Sequence, residues 1–152
     1  MHLSSMRWLR EIRFFVVGLL LLNSLWEVIQ LPLYTIWGTA TPKELLFAIL
    51  HCTVADVLIG TGCLIGTLVA EATEAWPNDR FGTVAVLTIV AGESYTLYSE
   101  WHNTVVLHSW TYASTMPTIA NIGLAPLAQW LVIPSLLFWR MHHRVTGAAS
   151  TL

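Results

Sequence analysis

The sequence predicts an all-α integral membrane protein, a four-helix bundle with both termini cytoplasmic, and three observations predict it. Hydrophobic residues make up 55% of the chain and charged residues only 11%, a balance far from that of a water-soluble domain. Apolar runs about as long as a bilayer is thick alternate with turns rich in Pro, Gly and Asn. Of the seven Lys and Arg residues, all but Lys43 fall on one side of those runs. A net charge of −2 without a basic patch excludes electrostatic binding of nucleic acid.

The 152 residues form one transmembrane domain, with spans expected at about 14–37, 43–70, 81–101 and 118–140. Met1 to Arg13 is a short polar segment carrying Arg7, Arg10 and Arg13. The run from Phe14 to Trp37 behind it has the outline of a signal peptide, but it is bilayer length and no small-residue cleavage site follows Leu22. An uncleaved first span is the reading. Gly38 to Pro42 is a turn, and Thr41 or Pro42 starts the second helix. Glu71 to Arg80, with Trp76-Pro77-Asn78-Asp79, is a loop before the third span. His102 to Met116 is wetter and aromatic, placing Trp101, Trp110 and Tyr112 at a membrane interface. The fourth span contains Pro126 and Pro134, which predict a kink. Arg7, Arg10, Arg13, Arg80, Arg140 and Arg144 lie on one side, so both termini face the cytoplasm of a bacterial inner membrane. Cys52 and Cys63 are about 16 Å apart along one helix, too far for a disulfide.

The polar residues inside the spans carry the functional information. Asn23, Glu27 and Gln30 are spaced four and three apart and form one stripe on the first helix. The second helix carries His51 and Asp56, with Gly62 and Gly66 spaced for close helix approach. Glu93 follows Gly92 on the third helix, and Glu100 lies seven residues on, with Thr96 between. Asn121 and Gln129 belong to the fourth. Counted inward by helical rise, Gln30, His51, Glu93, Glu27, Gln129 and Asp56 fall at about 9 to 18 Å from the non-cytoplasmic ends. They share one slab in the outer half of the membrane.

No Lys or Arg lies inside the spans, so Glu27, Asp56 and Glu93 have no cationic partner there except His51. Burial of uncompensated acids favours either shared protons or a bound cation. The bland alternatives are specific. Glu27 with Gln30 serves equally as an interhelical hydrogen-bond clasp, and His51 as a satisfied buried imidazole. Glu100, Trp101 and Asn103 fit a solvated helix end as well as a pocket mouth. His102, His108 and the His142-His143 pair lack the spacing of a metal motif. There is no H-E-x-x-H, G-x-S-x-G, C-x-x-C or phosphate-cradling glycine loop, so hydrolase and nucleotide chemistry have no support.

The stretches Leu25-Trp26-Glu27-Val28-Ile29-Gln30-Leu31-Pro32-Leu33-Tyr34, Ser99-Glu100-Trp101-His102-Asn103 and Gly123 to Trp130 resemble those of small bacterial four-span membrane proteins. In outline the chain is also similar to the sterol-isomerase and sigma-2-receptor superfamily, whose members bind sterol-like amines or move a double bond by acid chemistry. Its His and Glu on one helix have no counterpart here: four residues after His51 stands Ala55, with Asp56 one further, so no residue is carried over.

Two functions follow as expectations. One is acid–base isomerisation or cyclisation, or binding, of a lipid-soluble isoprenoid-like substrate, without a cofactor or metal. Glu27, Glu93, His51 and Asp56 are then the catalytic set, with Gln30, Gln129, Tyr95, Trp101 and Asn103 binding substrate. The other is a non-enzymatic metal- or proton-coupled carrier, or a structural subunit of a membrane complex or homo-oligomer.

Overall fold

The computed structural model describes residues 2–71 and 75–149, and most of them are helical. Helix α1 spans His2–Gln30, starting well before Phe14, since the Arg- and Glu-bearing segment is itself a good helix former. Glu11, read in the sequence as part of a polar leader, is fully buried. Its Oε1 accepts from Arg10 at 3.1 Å and lies 3.8 Å from Arg144. The helix ends at Gln30 instead of reaching Trp37, because Pro32 restricts the residue before it and the chain turns through a 3-10 segment, Leu31–Leu33. A single turn, α2 (Ile36–Thr39), follows.

Helix α3 (Pro42–Ala70) opens on a capping box: the Thr41 side chain accepts the Glu44 N–H while the Glu44 carboxylate accepts that of Thr41. Pro42 takes a first-turn position, where no N–H is needed. Helix α4 (Phe81–Trp101) buries every fourth residue, Val84, Thr88, Gly92, Thr96 and Glu100, and passes into a π-helical turn, His102–Val106. Residues 118–123, expected to begin the last span, instead make a hairpin of β1 (Thr118–Ile119) and β2 (Ile122–Gly123). Ala120 and Asn121 turn it with positive φ, a conformation no helix continues through. Helix α5 therefore runs from Leu124 to Ala149, past the expected end at 140. Pro126 is harmless in its first turn, but Pro134 lies inside and leaves the Trp130 carbonyl without its helical donor.

Helix α1 packs on α3 and α5, and α4 packs on the same two. Three of these four helices are long and apolar enough to cross a membrane: the segments are Arg7–Leu33, Pro42–Ala70 and Leu124–Gly147. Helix α4 differs because Glu93, Ser94, Ser99 and Glu100 make its second half polar. Large apolar side chains such as Leu21, Ile29, Phe47, Leu58 and Val69 point outward, as lipid-facing side chains do.

The interior divides into two halves. Toward the end that carries the termini lies an apolar core of Phe15, Leu19, Leu64, Val84, Ile133, Leu137, Phe138 and Met141 with Trp76. Phe15 and Phe138 meet at 5.0 Å between ring centroids. Toward the opposite end, called here the loop end, the interior is polar. Trp130 stands between the halves: a β-carbon at Gly92 would lie 2.5 Å from its ring atoms Cε3 and Cζ3, so only glycine admits the indole against α4. Gly60 likewise receives Leu19. Gly62 and Gly66, expected to mediate close approach, face open space, because they lie on the outward side of α3.

At the loop end the α1–α3 connection is tied to the α4–α5 connection. Thr35 N–H donates to the Thr111 carbonyl at 3.0 Å and Ala113 N–H to that of Leu33 at 2.9 Å. Tyr34 pairs with Tyr112 in an isolated antiparallel bridge, their rings 5.6 Å apart.

Candidate functional site

Five polar side chains from α1, α3 and α5 converge above Trp130. Gln129 is the hub. Its Nε2 lies 2.9 Å from Asn23 Oδ1, 3.2 Å from Glu27 Oε1 and 2.9 Å from Asp56 Oδ2. Its Oε1 accepts from Gln30 Nε2 at 3.3 Å, and that nitrogen also donates to Glu27 Oε1 at 2.8 Å. The Trp26 indole N–H reaches Gln30 Oε1 at 3.2 Å. Glu27 and Asp56 each bring a carboxyl oxygen to the same Gln129 nitrogen, so the two acids are neighbours across α1 and α3. Asn23, Glu27, Gln30 and Gln129 are all buried, and Asp56 is partly so.

Helical spacing explains the convergence. The i, i+4 and i, i+3 steps of Asn23, Glu27 and Gln30 put all three on the side of α1 that faces α3 and α5. An amide nitrogen carries two hydrogens, whereas Gln129 Nε2 faces three acceptors. Turning the Gln129 amide over would set its oxygen against two carboxyl oxygens. Turning Asn23 over would set nitrogen against nitrogen. In either orientation the acceptors outnumber the hydrogens that the amides bring. Arg7, Arg10, Arg13, Arg140 and Arg144 lie in the parts of α1 and α5 toward the termini, and Lys43 and Arg80 at helix starts, so no basic side chain completes the set.

The other residues expected in this site lie elsewhere. His51 is exposed on the outward face of α3, stacked on Phe47 at 5.7 Å. It is five residues from Asp56, a rotation of about 140° around the helix, so equal depth does not bring the two together. Glu93 stands at the edge of α4, about 100° round from Gly92, and its Oε2 is buried without a side-chain or backbone partner. Tyr95 and Trp101 face outward on α4. Asn103 is held in the π turn by its own helix, donating to the Ser99 carbonyl at 2.9 Å.

Glu100, read in the sequence as equally a solvated helix end, is 6% exposed. It accepts a hydrogen bond from the Tyr112 hydroxyl, which in turn accepts the Gly123 N–H at 3.0 Å. Burial, and then the Glu100 carboxyl, push the Tyr112 phenol above the ordinary tyrosine range. Tyr112 also lines a cleft of about 310 Å³ at the loop end, with Thr104, His108, Trp110, Thr111 and Asn121. The Glu100 signal was present in the sequence as the last member of the four-residue series from Val84. Nothing local in the sequence marks Tyr112, whose partner lies across a turn.

Among the described residues no group of three or more His, Cys, Asp or Glu side chains is arranged to hold a metal ion. The fold and site thus define a helical protein with three membrane-length helices, joined inside by a carboxyl–amide cluster. No protein-family model, curated protein or solved structure matches the chain.

Proposed function

We propose that the chain is a four-span inner-membrane protein with both termini cytoplasmic, and that the Glu27–Asp56 pair holds one shared proton for acid–base work on a lipid-soluble, isoprenoid-like molecule. One observation carries the reading: two carboxyl groups from α1 and α3 converge on a single amide nitrogen that has fewer hydrogens than acceptors, and no cationic side chain stands beside them. Two adjacent ionised carboxylates would repel without compensation, and a single proton between them removes that cost. The protonated member can add its proton to a double bond, while the ionised member takes a proton from the neighbouring carbon. The sum is isomerisation, with nothing oxidised or reduced and no cofactor consumed. Gln129 and Gln30 hold the pair in register, and α4 is the fourth span, with Thr96 and Glu100 of its second half turned to the interior.

The test does not require a known substrate. Membranes containing the full chain are incubated in D2O with an isoprenoid lipid extract, and the recovered lipids are weighed by mass spectrometry. Deuterium should enter carbon positions with the natural chain and not with Glu27→Gln or Asp56→Asn, because an amide does not ionise near neutral pH. Equal incorporation in all three preparations, or none in any, rules out the enzyme reading. In that event the second reading stands, a structural clasp, favoured by the way Gln129 alone joins α1, α3 and α5.

A further inference from the structure

The parts of α1 and α5 toward the termini carry five arginines, Arg7, Arg10, Arg13, Arg140 and Arg144, against a single acid, Glu11. Glu11 is wholly buried, so among the described residues the surface of these two helix ends shows only positive charge. Two of the five are held to one point. Arg10 Nε lies 3.1 Å, and Arg144 Nη2 3.8 Å, from the same Glu11 oxygen, Oε1, so the two guanidiniums bridge the seam between α1 and α5. Both stay open to the outside, Arg10 56% exposed and Arg144 39%, while the carboxylate between them is 0% exposed. An anion arriving from outside therefore meets two cations and not the acid behind them. Two nitrogens so near one oxygen are near enough to each other to donate to opposite oxygens of one phosphate group. Guanidiniums bind phosphate through several N–H groups at once. One carboxylate shared by two arginines also leaves the group with net positive charge.

The surroundings select the source of that phosphate. The Arg144 guanidinium lies 4.3 Å over the Phe14 ring. Arg10, Phe14, Val17 and Leu21 follow at steps of four, three and four, so they share one face of α1. Val17 and Leu21 are exposed, an apolar track that leads from the guanidiniums into the membrane. Trp8 and Trp139, exposed at the same end, are of the type that settles at headgroup depth. A free phosphate ion would use the arginines alone, whereas a phospholipid uses the arginines and the track. The geometry points to a site for one anionic phospholipid on the α1–α5 seam, its phosphate between Arg10 and Arg144 and an acyl chain along Phe14, Val17 and Leu21. This rests on the chain's spanning a membrane and not on proton chemistry at the Glu27–Asp56 pair. Glu11 is a positioning residue, holding two like-charged side chains together from behind. A zwitterionic lipid fits less well, because its ammonium would face the surplus positive charge of the same helix ends.

In the experiment the full chain in neutral detergent is titrated with phosphatidylglycerol or phosphatidylcholine, with and without inorganic phosphate, and bound lipid is counted by native mass spectrometry. One phosphatidylglycerol should bind about 25-fold more tightly than phosphatidylcholine, at about fivefold for each guanidinium beside an anionic headgroup. Arg10→Gln and Arg144→Gln should each remove about fivefold. Arg80→Gln, at the same end on α4 and already 2.9 Å from Glu71, should leave binding unchanged. Inorganic phosphate should not displace the lipid. Equal affinity for the two lipids, or an equal loss with Arg80→Gln, overturns the site and leaves only a diffuse basic collar. Displacement by inorganic phosphate overturns it as well, leaving an ion site that uses no lipid. If a single arginine variant does not fold because Glu11 has lost a partner, the same comparison is made in the Glu11→Gln background, where no buried charge needs pairing. Each of these outcomes leaves the reading of the Glu27–Asp56 pair as it was.

Discussion

Replacing Gln129 by Leu isolates what the amide hub contributes. Leucine is close to glutamine in volume, so no large cavity is added, but every polar contact of the residue is lost. Three acceptors lose Nε2 as donor and Gln30 loses one acceptor. Hydrogen bonds inside membranes average roughly 0.6 kcal/mol and reach about 1.7, and a buried group left without a partner costs roughly 1–3 kcal/mol. The variant should therefore be less stable by about 2–5 kcal/mol. Unfolding in SDS titrations, read by tryptophan fluorescence, measures it. Because part of the cost is Asp56 left unpaired, Asp56→Leu should do less harm in the Gln129→Leu background than alone, with a coupling of about 1 kcal/mol. A change below about 0.5 kcal/mol for Gln129→Leu, the range of inert surface substitutions, would refute the claim that this cluster joins the helices.

Four further outcomes can be checked. Glu27→Gln should change stability in the same titration by under about 1 kcal/mol, since glutamine accepts the same two amide hydrogens and donates where a protonated acid would; a larger loss would mean that Glu27 is ionised in the folded chain. Gly92→Ala forces the Trp130 indole aside and should cost about 1–3 kcal/mol, whereas Gly66→Ala, facing open space, should be neutral or stabilising by up to about 1 kcal/mol. Tyr112 stays protonated in the folded chain beyond the ordinary tyrosine pKa of about 10, so its contribution to stability is present below about pH 10 and is lost as the pH rises further. The tyrosinate absorbance of the natural chain minus that of Tyr112→Phe should appear only above that range or on unfolding. A reporter fused after residue 152 that works only in the cytoplasm should be active, and one that works only outside should not.

Helical spacing made part of this site legible. The stripe of Asn23, Glu27 and Gln30 is readable because residues three and four apart share a face, and Gln129 and Asp56 meet it because they lie at the same height. Height says nothing about rotation, which is why His51 is exposed and Glu93 stands at the edge of α4 instead of joining the pair. The helix start at Thr41 or Pro42 is legible because it is local, and Glu44 completes it as a capping box in the structure. The start of α5 was not, since the hairpin at 118–123 depends on backbone torsions at Ala120 and Asn121. The Tyr112 to Glu100 bond depends on how a long connection folds back, which no periodicity encodes.

The hub residue is also the last of its cluster to be made. Asp56 and Gln129 are 73 residues apart in the chain. At about 5–20 residues per second, a ribosome needs about 4 to 15 s to close that gap. During that interval Glu27 and Asp56 exist without the amide that holds them in register. An early helical hairpin with two poorly satisfied acids is a weak candidate for entering the hydrocarbon alone. Only the arrival of α5 closes the cluster, and a translational pause between codons 57 and 128 would lengthen the open state without altering a single residue of the finished protein.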